Sequence, residues 1–94
     1  MGSSRPQPKK LAPKLRQIRT ALNLTQQQMV DRLKKEQARL KVYPGNISRF
    51  EQGQREPTLL VLLAYAKTAG VTIDVLADDN AVLPRRYALS KGRD

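Results

Sequence analysis

The stretch from Ile47 to Pro57 reads Ile-Ser-Arg-Phe-Glu-Gln-Gly-Gln-Arg-Glu-Pro. Its two apolar residues, Ile47 and Phe50, lie three apart, the spacing of one helical face. Ser48, Arg49, Gln52 and Arg55 are set around them and offer a hydroxyl, an amide and two guanidinium groups. Such groups form hydrogen bonds and hold anions, and arginine can grip two acceptors at once. They do not make an acid–base pair. Histidine and cysteine are both absent, which removes the commonest general base, the commonest metal ligand and any disulfide or thiolate–zinc site. The carboxylates are few and scattered, so no catalytic residue, metal site or cofactor is expected and the chain does not read as an enzyme. What these residues offer is recognition.

The charge says of what. Eighteen Lys and Arg stand against eight Asp and Glu in 94 residues, a balance of +10. Residues 1–55 hold thirteen of the cations against Asp31, Glu36 and Glu51, a local balance of +10. Residues 56–83 hold Lys67 against Glu56, Asp74, Asp78 and Asp79, a balance of −3, and residues 84–94 return to +3. Such segregation points to a polyanion-facing surface, with nucleic acid or an acidic membrane as the partner class. The lysine-rich segment 34–41 has only Ala38 and Leu40 as apolar residues, too few for an interfacial amphipathic helix. Four aromatics in all are too few for the stacking platforms of RNA readers. The longest apolar run, Leu59 to Ala66, falls far short of the roughly 20 residues that span a bilayer. Prolines and charges occupy the N-terminus where a signal peptide needs an apolar stretch. The expected location is the cytoplasm, at the nucleoid.

The elements that must position these side chains are short helices. Residues 1–12, rich in Pro, Ser and Lys, read as a basic flexible arm, whose Met1-Gly2-Ser3-Ser4 is either native or an added leader. Pro13 suits the first position of a helix that continues through Leu15, Ile18 and Leu22. Thr25, with Gln28 three residues on, has the capping-box pattern, and Met29, Val30 and Leu33 follow as a buried stripe. Ile47 and Phe50 mark a third helix closed by Gly53. Thr58 caps a fourth, with Leu59, Leu62, Leu63 and Ala66 at helical spacing and Gly70 at its end. Thr72 opens a short fifth with Ile73, Val75 and Leu76. No segment alternates with period two. The expected class is all-α, with five helices in residues 13–80 and a basic tail over 81–94.

In sequence order, Leu24-Thr25-Gln26, Ile47-Ser48-Arg49 with Glu51 and Gly53, Arg55-x-Pro57 and Gly70-Val71 resemble the lambda repressor/Cro (XRE) helix-turn-helix family over Leu15 to Asp79. The resemblance implies that helix 2 crosses the sugar–phosphate backbone while helix 3 enters the major groove of double-stranded DNA. It gives Gln26 a phosphate, makes Arg49 a reader of guanine or a phosphate clamp, and lets Asn46 reach adenine. Gln52 and the backbone near Gly53 match phosphate positions. Glu51 matches an acid that pairs with a helix 1 arginine, here Arg16 or Arg19. The full DNA-binding set is Gln26, Gln27, Lys34, Lys35, Lys41, Tyr43, Gly45, Asn46, Ser48, Arg49, Gln52 and Arg55, with Lys9 and Lys10 from the arm.

Two departures stand out. Thirteen residues, Lys34 to Asn46, separate Leu33 from Ile47, about seven more than family members usually carry, or nearly two turns of helix. Helix 2 is expected to run on to between Lys35 and Leu40. The first residues of helix 3 become Pro44, Gly45 and Asn46, which thins direct base readout, while Lys34, Lys35, Arg39, Lys41 and Tyr43 offer backbone contacts instead. The second departure is on helix 4, where Leu60, Val61 and Ala64 replace the usual polar groups. They are expected to form a homodimer interface, with packing on the lengthened helix 2 as the competing reading. Val82, Leu83, Tyr87 and Leu89 of the tail are candidates to join it.

The expected function is a sequence-specific transcriptional regulator, a repressor acting as a homodimer. The alternative is an antitoxin-type module that also binds a partner protein. With no ligand domain in view, any signal is expected to act through another protein, proteolysis or concentration.

Overall fold

The computed structural model describes residues 8–87. Its order is α1 (Leu11–Ala21), α2 (Gln26–Glu36), α3 (Pro44–Glu51), α4 (Leu59–Ala69) and α5 (Ile73–Ala77), followed by a 3-10 turn at Arg85–Tyr87. The class is all-α with five α-helices, and the described residues contain no strand. Leu15, Ile18, Met29, Leu33, Ile47, Tyr65 and Leu76 are wholly enclosed in a core to which all five helices contribute.

The local signals at helix ends hold. Thr25 Oγ1 accepts from Gln28 N at 3.1 Å while Gln28 Oε1 accepts from Thr25 N at 2.8 Å, so two of the unpaired donors at the start of α2 are satisfied reciprocally. Thr58 Oγ1 accepts from Val61 N at the start of α4. Asn23, Gly53 and Gly70 take left-handed backbone, φ 60°, 73° and 71°, and each closes its helix. In each case the next residue's N–H reaches back: Leu24 to Arg19 O, Gln54 to Arg49 O, Val71 to Ala66 O. α2 ends otherwise. Gln37 after it is extended, φ −140°, and no left-handed residue follows. The helix stops at Glu36, the short end of the expected range.

Both ends of the folded unit lie further out than expected. α1 begins at Leu11, which is buried, so Pro13 falls third in the helix rather than first; its missing N–H is still among the four without a helical partner. Leu11 therefore belongs to the core and not to an arm. The cap comes from far along the chain, with the Asp79 carboxylate accepting from Lys9 N and Lys10 N, both at 2.9 Å. Lys14, buried in α1, donates from Nζ to Val75 O at 2.7 Å and Asp78 O at 2.9 Å at the end of α5. Burial lowers its pKa, against the pull of Asp79 and Asp78. At the other end Tyr87 is buried and its hydroxyl donates to Ala69 O at 2.6 Å, while Arg86 donates to the same carbonyl at 3.0 Å. Residues 81–87 are thus part of the fold. Leu89 and residues 1–7 lie outside the described residues.

The expected dimer face also changes. Val61 and Ala64 are 5% and 0% exposed, because α4 packs against α2 and turns both residues inward. They are core residues, the outcome of the competing reading. Leu60 is 53% exposed and its neighbour Leu59 70%.

Candidate nucleic-acid interface

On α3, Ile47 and Phe50 are buried. Gly45, Ser48, Arg49 and Gln52, at i, i+3, i+4 and i+7, share the opposite side. Gly45, Arg49 and Gln52 are exposed and Ser48 is half-buried. Gln52 Nε2 donates to Ser48 Oγ at 2.8 Å, linking two of the four. A Cβ added at Gly45 would meet nothing within 4 Å, so the first turn of α3, Pro44 and Gly45, presents nearly bare backbone.

What aims this face is Glu51. Its carboxylate takes both nitrogens of one edge of the Arg19 guanidinium, Nε at 2.6 Å and Nη2 at 2.9 Å, and the third, Nη1, donates to Leu24 O at 2.9 Å. The side chains are only 5% and 16% exposed. The bond with Glu51 raises the Arg19 pKa still further, so the guanidinium keeps its charge. Of the two arginines open in the sequence, Arg19 is the partner.

Arg16 is therefore left at the surface. It lines a cleft with Gln26, Ser48, Gln52 and the Arg19–Glu51 pair. Gln26 is the first residue of α2, where backbone N–H groups lack helical partners and favour an anion. Sequence reasoning gave Arg16 no role beyond pairing with Glu51. Gln27 lies one residue on, exposed, with Nε2 donating to Asp31 Oδ1 at 3.1 Å along α2 itself.

The insertion is folded onto the domain. Val42 is 1% exposed and joins the core, and Leu40 packs against it. Lys34 Nζ sits 5.5 Å from the centre of the Tyr43 ring, a cation–π contact that ties the end of α2 to the residue before α3. Tyr43 N donates to Asn46 Oδ1 at 2.9 Å. That bond holds the start of α3 in place and leaves the second lone pair of the amide oxygen and the Nδ2 donors of Asn46 for other partners. Lys35 and Lys41 are exposed. Arg55 follows α3, exposed, in a cleft with Arg39, Lys41 and Asn46. Lys9 and Lys10 lie at the start of α1, which runs beside the end of α3: the Ala12 Cβ is 3.8 Å from where a Gly53 Cβ would stand.

No helix among the described residues is long and apolar enough to cross a membrane. A family model described as helix-turn-helix matches residues 15–76, from Leu15 in α1 to Leu76 in α5, both wholly enclosed. Comparison with curated proteins and with solved structures found no match. With its all-α fold, the paired α2 and α3 and this match over most of its length, the chain belongs to the helix-turn-helix family of DNA-binding transcription regulators, in the lambda repressor/Cro-like form.

Proposed function

We propose that the protein is a sequence-specific repressor that lays α3 in the major groove of double-stranded DNA and grips the flanking backbone with the start of α2. The observation that carries this reading is the shared outward arc of Gly45, Ser48, Arg49 and Gln52 beside the Gln26–Arg16 cleft. Arg49 reads a base edge, the guanine O6/N7 pair being the best match for its fork. Gln26, Gln27, Arg16 and Gln52 hold phosphates, which set register and carry no sequence information directly. Lys34, Lys35, Tyr43, Lys9 and Lys10 add charge and contact along the backbone. Two copies would meet through Leu59 and Leu60, the exposed apolar pair left on α4, and bind a two-fold operator.

Selection of bound duplexes from a random pool tests this. A two-fold consensus with a guanine in each half-site supports the reading, and recovery of unenriched sequence refutes sequence-specific binding. Leu60→Lys should halve the sedimentation mass of the dimer with the helices intact; an unchanged dimer would move the interface elsewhere.

A further inference from the structure

α3 has a second cleft on the side away from Gln26, lined by Arg39 and Lys41 of the insertion, Asn46, and Arg55 and Thr58 after α3, with Leu60 at its edge. Asn46 and Phe50 line this cleft, whereas Ser48 and Gln52 line the one beside Gln26. At 3.6 residues per turn, Asn46 and Ser48 point about 160° apart around the axis. The two clefts flank the outward arc from opposite sides.

That arrangement matches the shape of the groove. A major groove about 12 Å wide is filled by a helix whose diameter with side chains is about 10–12 Å. Each flank of such a helix meets a wall, and each wall is a phosphodiester strand of opposite polarity. Gln26 and Arg16 serve one flank. On the other, Arg39, Lys41 and Arg55 face a single lining carboxylate, Glu56. No carboxylate among the described residues forms an ion pair with any of the three cations. The side chains come from two segments that are already fixed, the insertion by Val42 and by the Lys34–Tyr43 stack, Arg55 by the turn at Gly53.

We propose that this cleft receives a backbone phosphate of the strand opposite to the one held by Gln26, so that the insertion acts as a clamp on the second wall of the groove. The proposal rests on the DNA-binding reading above. The partly buried Leu40 gives the deoxyribose an apolar surface to lie against. Because a phosphate is present at every step, the clamp strengthens binding to all duplexes alike. Base readout, thinned by Pro44 and Gly45, gains nothing from it. The insertion shifts the protein toward affinity at the expense of discrimination.

The test compares the full chain with Arg39→Ala, Lys41→Ala and a control, Lys67→Ala, which removes the same charge from exposed α4 surface outside the cleft. Affinity for one selected and one scrambled duplex is titrated against salt. Each cleft variant should flatten the log–log salt slope by about 0.9, one phosphate, on both duplexes, and the control should not. A neutral methylphosphonate, walked along one strand at a time, should weaken the wild type at a position on the second strand where the cleft variants no longer respond. Wild-type slopes in both cleft variants would overturn the clamp and leave DNA binding standing; they are also the result expected if the cleft instead holds an acidic protein. Failure of the wild type to bind either duplex would overturn the reading beneath it. Matching circular dichroism across the variants rules out unfolding as the cause.

Discussion

Glu51 receives two hydrogen bonds from one edge of the Arg19 guanidinium, at 2.6 and 2.9 Å, and this fork joins α1 to α3 across thirty-two positions of sequence. A third bond, to Leu24 O, adds the α1–α2 turn. Removing Glu51 leaves the largely enclosed Arg19 without its counter-charge, at a cost of about 3 kcal/mol. Glu51→Ala should lower the urea midpoint accordingly and weaken binding to every duplex, since α3 loses its aim. A midpoint equal to wild type would mean the fork contributes nothing.

Positioning and reading should separate in binding titrations against an operator and a scrambled duplex. Arg49→Ala should cost about 1–3 kcal/mol on the operator and less on scrambled DNA. Gln26→Ala and Arg16→Ala should weaken both by similar factors. If Arg49→Ala lowers both affinities equally, Arg49 is a phosphate clamp and readout passes to Ser48.

Gly45 tests whether backbone approaches the groove. Its site is open and its φ is not positive, so alanine fits the fold and should stabilise it by up to about 1 kcal/mol. The same methyl would stand between α3 and the base edges. Gly45→Ala is expected to melt higher and bind DNA more weakly. A rise in both would show that the first turn of α3 stays clear of the DNA.

The cap on α1 predicts an acid response. The Lys10 and Lys9 N–H groups hold the Asp79 pKa below its ordinary 3.8, and a bond from Thr72 does the same for Asp74. A carboxylate whose pKa is lower when folded stabilises the protein above its unfolded value. That contribution fades as pH falls through the folded value, because the unfolded chain takes up the proton first. Melting temperature should therefore drop below about pH 4, and Asp79→Asn should flatten the drop. An equal drop in the variant would assign it to other groups.

The parts of this fold legible in the sequence are those decided within a few residues. Thr25 and Gln28, Gly53 and Gly70, and the Ile47–Phe50 spacing each act over one turn, and each behaves as read. What could not be read depends on partners far along the chain. Leu11 starts α1 because Asp79 caps it from sixty-nine and seventy positions away. Val61 and Ala64 look like a surface until α2 lies over them. Tyr87 docks because the end of α4 leaves the Ala69 carbonyl for its hydroxyl. The choice between Arg16 and Arg19 needed the angle between α1 and α3, which no local pattern carries.

The buried Val42 bears on how the chain finds this structure. Lengthening a loop is entropically mild, about 0.6 kcal/mol per doubling, whereas enclosing a valine is worth about 1.5 kcal/mol or more. The seven residues between α2 and α3 therefore need not weaken the domain. Val42 also divides the connection into a five-residue excursion, Gln37 to Lys41, and the single residue Tyr43. Two short closures form faster than one long one, since each brings together groups already near in sequence. Val42→Ala should accordingly slow refolding as well as speed unfolding.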